Sequence, residues 1–136
     1  MAKAAVAAGI ATGQCLCGKV VFEIDIPARW AWHDHSASSR RAHGAAYATY
    51  VGSWKKRFRI TKGKTAITRY EDAATRTARS FCSCCGTPIA YERPRGPHMV
   101  NIPARCLGSA PAASRSITSR SRSCRNGPIP ASRWCR

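Results

Sequence analysis

The sequence predicts a mainly β protein, a small antiparallel-sheet domain stapled by a structural zinc. Three observations carry this expectation: short runs in which apolar and polar residues alternate, no stretch with a sustained helical stripe, and two tight cysteine pairs set in CLCG and FCSCCG. At 136 residues the chain makes one domain, large enough for a core and small enough to profit from a metal.

Taken in order, residues 1–12 (MAKAAVAAGIAT) read as a loose, alanine-rich N-terminus, and the folded domain is expected over residues 13–103. In residues 20–26 (VVFEIDI), Val20, Phe22, Ile24 and Ile26 share one face while Val21, Glu23 and Asp25 share the other. That is the period of a half-buried strand, and Pro27 ends it. Residues 36–44 suit no more than a short turn of helix, and residues 45–51 (AAYATYV) are a second strand candidate. Residues 57–63 (RFRITKG) run into a Lys62-Gly63 turn, from which residues 64–70 (KTAITRY) return as a hairpin partner. TARSF then enters the second cysteine turn, TPIAYE leaves it, and residues 98–103 (HMVNIP) form the last strand. The basic run KKRFR, residues 55–59, reads as a solvated strand edge, where lysine discourages edge-to-edge pairing.

Each cysteine pair is followed at once by glycine: Cys15 and Cys17 by Gly18, Cys82 and Cys85 by Gly86. A tetrahedral zinc needs four thiolates a few ångströms apart, and a turn presenting two of them needs a residue that tolerates positive φ. Disulfides are the rival reading. The cysteines within each cluster lie too close for ordinary cross-linking, and nothing resembles a secretory leader, so zinc on Cys15, Cys17, Cys82 and Cys85 is the expectation. Cys84 is then a spare thiol, either packed or competing as a ligand. No apolar run approaches the length of a membrane span, which suits a cytoplasmic protein with no membrane partner.

The net charge of +17 is unevenly spread: residues 104–136 hold seven arginines and no acid, the rest sixteen basic and six acidic residues. The tail shows neither apolar period, and serine and arginine dominate it. It reads as the product of a frameshift just after Pro103, unstructured in this frame. Back-translated in GC-rich codons, residues 113–136 encode EPLYHIAIEELQEWAYTGEPLVP when read two bases in, with acids and aromatics restored. On that reading Cys106, Cys124 and Cys135 are accidents of frame, and the arginine-rich tail is no nucleic-acid arm.

With GQCLCGKVVFEI, SRRAHGAAYATYV and RSFCSCCGTPI in this order, residues 13–103 resemble the glutathione-dependent formaldehyde-activating (GFA) family, to which centromere protein V also belongs. The resemblance implies a tent-like β fold with one structural zinc on Cys15, Cys17, Cys82 and Cys85. It also implies a second, catalytic zinc, held by three cysteines of a CHCxxC stretch just before an Arg-Arg pair. The activity it implies is of carbon–sulfur lyase type, in which formaldehyde adds to the glutathione thiol. The zinc would lower the thiol's pKa or polarise the aldehyde.

This chain departs at that stretch. Aligned on Arg40-Arg41, Asp34, His35 and Ser36 stand at the positions of Cys, His and Cys, and Ser39 at the last Cys. Serine hydroxyls are poor zinc ligands beside thiolates, so the second zinc is not expected. A substitute N/O metal site at His33, Asp34 and His35 is conceivable, since the two histidines of an extended segment stand about 6.5 Å apart on one side. Ordinary hydrogen-bonding histidines are the preferred reading.

The expected function is therefore a zinc-binding GFA-family domain divergent at the catalytic site. The alternative is an active lyase on a glutathione/aldehyde adduct. In that case Asp34, His35, Ser36 and Ser39 mark the candidate catalytic region, and Arg40 and Arg41 draw substrate carboxylates. The expected partner is a small thiol or aldehyde adduct such as glutathione, and nucleic acid is disfavoured. No glycine-rich phosphate loop, serine nucleophile or converging carboxylate pair supports other chemistry.

Overall fold

The computed structural model describes residues 8–108 and, as backbone, residues 116–119. The strands, in chain order, are β1 (Gly9–Gln14), β2 (Val21–Ile26), β3 (Trp30–Asp34), β4 (Ala48–Trp54), β5 (Phe58–Lys62), β6 (Ile67–Asp72), β7 (Thr77–Cys82), β8 (Pro88–Glu92), β9 (Met99–Pro103) and β10 (Ser116–Ser119). The short helix α1 (Ala37–His43) links β3 to β4. Ser36 caps it by accepting the Ser39 N–H, and Gly44 ends it in the left-handed region at φ 58°.

The strands form a three-stranded sheet, β1-β2-β5, and a seven-stranded sheet, β10-β3-β4-β9-β8-β7-β6. Pairing is antiparallel throughout except between β10 and β3. The alternation of β2 does what its pattern demands: Val20, Phe22 and Ile24 are fully buried, and Ile26 packs at the margin. They meet Val51, Ile89, Val100 and Ile102 of the larger sheet in one core, where each large apolar side chain contributes about 1.5–3 kcal/mol. A second cluster is aromatic, with Trp32, Tyr50 and Tyr91 packed beside α1.

Three boundaries differ from expectation. The stretch read as a loose terminus is strand β1 from Gly9 onward, paired with β2 in unbroken register. Its glycines hide the strand but have a reason: a Cβ at Gly13 would collide with the Phe22 ring and the Cys106 carbonyl. The hairpin of residues 57–70 does not form. Gly63, at φ 74°, lies so close to the Lys19 carbonyl that a side chain would not fit, and the following 3-10 turn carries the chain across to the other sheet. There β6 pairs with β7, while β5 pairs with β2. Order also runs past Pro103: Leu107 is buried in the main core, and Gly108 N–H donates to the Thr12 carbonyl at 3.0 Å. Cys106 belongs to this folded part, its thiol donating to the Pro88 carbonyl at 3.3 Å, whereas Cys124 and Cys135 lie outside the described residues.

The run KKRFR lies along β5 and the turn before it. Arg59 pairs with Asp25 at 2.7 Å and Glu23 at 3.6 Å, and Lys55 pairs with Glu92, as suits a solvated edge.

Candidate metal centre and the cavity behind the helix

The two cysteine turns repeat one backbone design. Cys15 N–H donates to the Val20 carbonyl at 3.0 Å and Cys82 N–H to the Thr87 carbonyl at 2.9 Å. Gly18 and Gly86, at φ 70° and 71°, donate back to the carbonyls of Cys15 and Cys82. No other residue adopts that φ without strain, so each Gly is a condition of its turn. Thr87 ties the turns together: its hydroxyl oxygen accepts the Leu16 N–H at 3.1 Å, and its proton faces the Cys85 sulfur at 3.1 Å.

The result brings Cys15, Cys17, Cys82 and Cys85 into one cluster, all four sulfurs within 4.8 Å of one another. Cys15 and Cys17 stand 3.5 Å apart, Cys17 and Cys82 3.8 Å. Around a tetrahedral zinc with bonds of about 2.3 Å, sulfurs stand about 3.8 Å apart, so the donor set fits such an ion. All four expected ligands are in place. Exposed Cys84 is not in the cluster but beside Lys19, whose ammonium it holds above its usual pKa.

Without an ion the four thiols cannot all ionise. The Thr87 hydroxyl, helped by the Thr87 N–H, pulls Cys85 down to about 5. The Lys19 N–H favours the Cys17 thiolate, but desolvation and the three neighbouring sulfurs outweigh it and push Cys17 up to about 12. Burial opposes ionisation of Cys15, yet the Val20 N–H, 3.2 Å from its sulfur, and the Cys17 and Cys82 thiols hold it below the usual thiol value. A bound cation removes this conflict and releases protons as it does so.

The second region is built on β3, α1, β4 and β7. Asp34, buried at the end of β3, accepts the Ser36 N–H at 2.9 Å and the Ser39 hydroxyl at 2.7 Å. Arg79 on β7 donates to Ser39 Oγ and to the Tyr50 hydroxyl, both at 3.1 Å, and lies 4.1 Å from the Tyr91 ring centroid. Since arginine can only donate, the Tyr50 oxygen accepts from it, and the same hydroxyl lies within hydrogen-bond distance of His43 Nε2, at 2.8 Å. Burial, and then the Arg79 charge, holds His43 below the usual histidine pKa, which suits a neutral acceptor. Every buried polar side chain among the described residues thus has a partner.

Asp34, Ser36 and Ser39 therefore meet, but His35 and the arginine pair do not join them. Strand alternation sends His33 and His35 to the other side, where their rings pack on Tyr47 at 5.1 and 5.2 Å. His33 also bonds Thr49 at 3.0 Å, and among the described residues no metal-ligating group forms around these histidines. Arg40 and Arg41 are exposed on α1, outside the cavity of about 230 Å³ that opens between the helix and β7. That cavity is lined instead by His43, noted in the sequence only as a neighbour of the His33–His35 run, and by Arg79, Tyr50 and Tyr91, which the sequence did not single out.

The sequence profile of the family described as "Glutathione-dependent formaldehyde-activating enzyme" (GFA) matches residues 10–120. The chain belongs to the GFA family. A crystal structure of a Rhodobacter sphaeroides protein superposes on this GFA-family chain with a TM-score of 0.61 at 21% identity, covering 78% of this chain and 99% of that one. At that identity the likeness speaks for the fold. No curated protein matches the chain. The family match extends past Pro103, in line with the ordered residues up to Gly108.

Proposed function

We propose that this GFA-family protein is a non-catalytic, zinc-stapled binding domain that holds one structural zinc on Cys15, Cys17, Cys82 and Cys85 and lacks the second, catalytic zinc. The observation that carries this reading is the hydrogen-bonded set of Asp34, Ser36 and Ser39. These residues stand where the family resemblance expects three zinc-binding cysteines. Their donors and acceptors are spent on one another, and Arg79 brings a fixed positive charge to Ser39. Two serine hydroxyls and one engaged carboxylate make a weak donor set for zinc.

The structural zinc supplies no chemistry to substrate here. Held by Cys15, Cys17, Cys82 and Cys85, it would offset the repulsion of four thiolates and tie the turn after β1 to the turn after β7. Elemental analysis of reconstituted protein tests the proposal: one zinc per chain, lost in Cys82→Ser, is the expected result, and two zincs overturn it.

Family membership and a cavity bordered by Tyr50 and Arg79 support a second reading, a lyase acting on a glutathione/aldehyde adduct. Formaldehyde-dependent loss of the glutathione thiol, catalysed by the purified chain, would establish it. We further propose that residues 104–136 come from a shift of reading frame just after Pro103 and that the protein is cytoplasmic. Sequencing the gene tests the first, and fractionation the second. No helix of the described residues is long and apolar enough to cross a membrane.

A further inference from the structure

We infer that the cavity behind α1 is a binding site for a small organic carboxylate with a flat, apolar body, held by Arg79. The inference names the ligand class for the binding domain proposed above and rests on that reading.

Charge comes first. Of the residues lining the cavity, Arg79 carries the fixed charge and none is acidic. His43 is held toward its neutral form. Among the described residues no carboxylate lies within 4.0 Å of the guanidinium. Asp34 reaches it only through Ser39, with both carboxylate oxygens already accepting hydrogen bonds. The cavity therefore presents the Arg79 guanidinium as the one fixed charge on its wall, with Asp34 set back behind the Ser39 hydroxyl, a setting that favours a single anionic group.

Donor count fixes the geometry of that group. A guanidinium has five N–H donors, and Arg79 spends one on Tyr50 and one on Ser39. The rest are available, and a planar fork pairs best with a planar carboxylate. Arg79 is also held in place, by two hydrogen bonds and by the Tyr91 ring, so little freedom is lost on binding.

Size and walls describe the body of the ligand. Tyr70, Phe81, Pro88 and Tyr91 line the space, which measures about 230 Å³. A cavity of about 150 Å³ admits benzene, so there is room here for one ring and a carboxylate. A phosphate dianion would find one guanidinium and no other cation, and it would leave the aromatic wall in water.

Benzoate, benzamide and inorganic phosphate are the probes, titrated into the zinc-loaded full chain and read by amide chemical shifts and melting temperature. Benzoate is expected to saturate with shifts confined to β4, β7, β8 and α1, binding at least tenfold more tightly than benzamide or phosphate. Arg79→Met is expected to remove at least tenfold of that affinity. Should Arg79→Met fold poorly, Ala42→Phe on the exposed face of α1 fills the mouth of the cavity without touching the network, and the same loss is expected. Equal binding of benzoate and benzamide, tighter binding of phosphate, or full affinity in Ala42→Phe would each overturn the inference. One zinc without benzoate binding sinks this inference alone. Two zincs with Arg79-dependent benzoate binding sink only the reading it rests on.

Discussion

The cysteine cluster and the Asp34–Arg79 network are both compact polar sites, yet they are completed in different ways. At the first, four sulfurs crowd within 4.8 Å, and their crowding keeps Cys17 from ionising beside the others, a conflict that a cation from outside would relieve. At the second, the positive charge is part of the chain, and Asp34, Ser39, Tyr50 and His43 find their partners in one another and in Arg79, which keeps donors to spare. One site is a socket and the other a closed circuit. The difference shows that one fold can hold a polar cluster whose donors suit a cation beside another whose charge and hydrogen bonds come from the chain itself.

The largest test of this contrast is removal of the metal ligand. Cys82→Ser, or a strong chelator, is expected to abolish metal binding and lower the melting temperature by more than about 10 °C, since metal affinity here is folding free energy. Calorimetry with and without chelator measures it. Next comes Asp34→Ala, which strands the Ser36 N–H and the Ser39 hydroxyl. A loss of about 1–3 kcal/mol in denaturant unfolding is expected, with metal content unchanged. Metal loss in this variant would break the comparison, because the two regions would then act as one.

Thr87→Val sharpens the first region. It removes the hydroxyl that faces Cys85 and accepts the Leu16 N–H, so metal affinity should fall by about tenfold to a hundredfold in competition with a chelating dye. A smaller effect is expected from acid on the second region. His43 is held below its ordinary value of 6.5, so its contribution to stability is present above pH 6.5 and is lost as pH falls toward the folded-state value, because the unfolded chain takes up the proton first. The melting temperature of His43→Gln should decline less than that of the parent over this range. Smallest of all, Arg41→Ala should stay within about 0.5 kcal/mol of the parent, since the side chain is exposed.

The two sites also differ in how far the sequence reveals them. The socket is legible because its requirements are local: paired cysteines, each followed by a glycine at positive φ, state their purpose in a few residues. The alternation of β2 is legible for the same reason. The circuit is not. Asp34 and Ser39 can be found by alignment on Arg40-Arg41, but Arg79 joins them across the sheet, and an arginine on a strand looks like any solvated edge. Arg40 and Arg41 attract notice as a pair, yet helical geometry turns them to solvent. Strand β1 is hidden because Gly13 serves close packing against Phe22, a constraint set by a partner strand. The direction taken at Gly63 depends likewise on the distant Lys19 carbonyl.

Cys17 and Cys82 lie 65 residues apart, and this spacing bears on how the chain matures. During synthesis at about 5–20 residues per second, the first cysteine pair leaves the ribosome several seconds before the second is made. Through that interval it can grip an ion with only two thiolates, loosely and reversibly. A metal held by all four thiols would thus be secured late, once β7 and its turn have emerged, and any cellular agent that competes for thiols or for metal would have its best opportunity before residue 87 is in place.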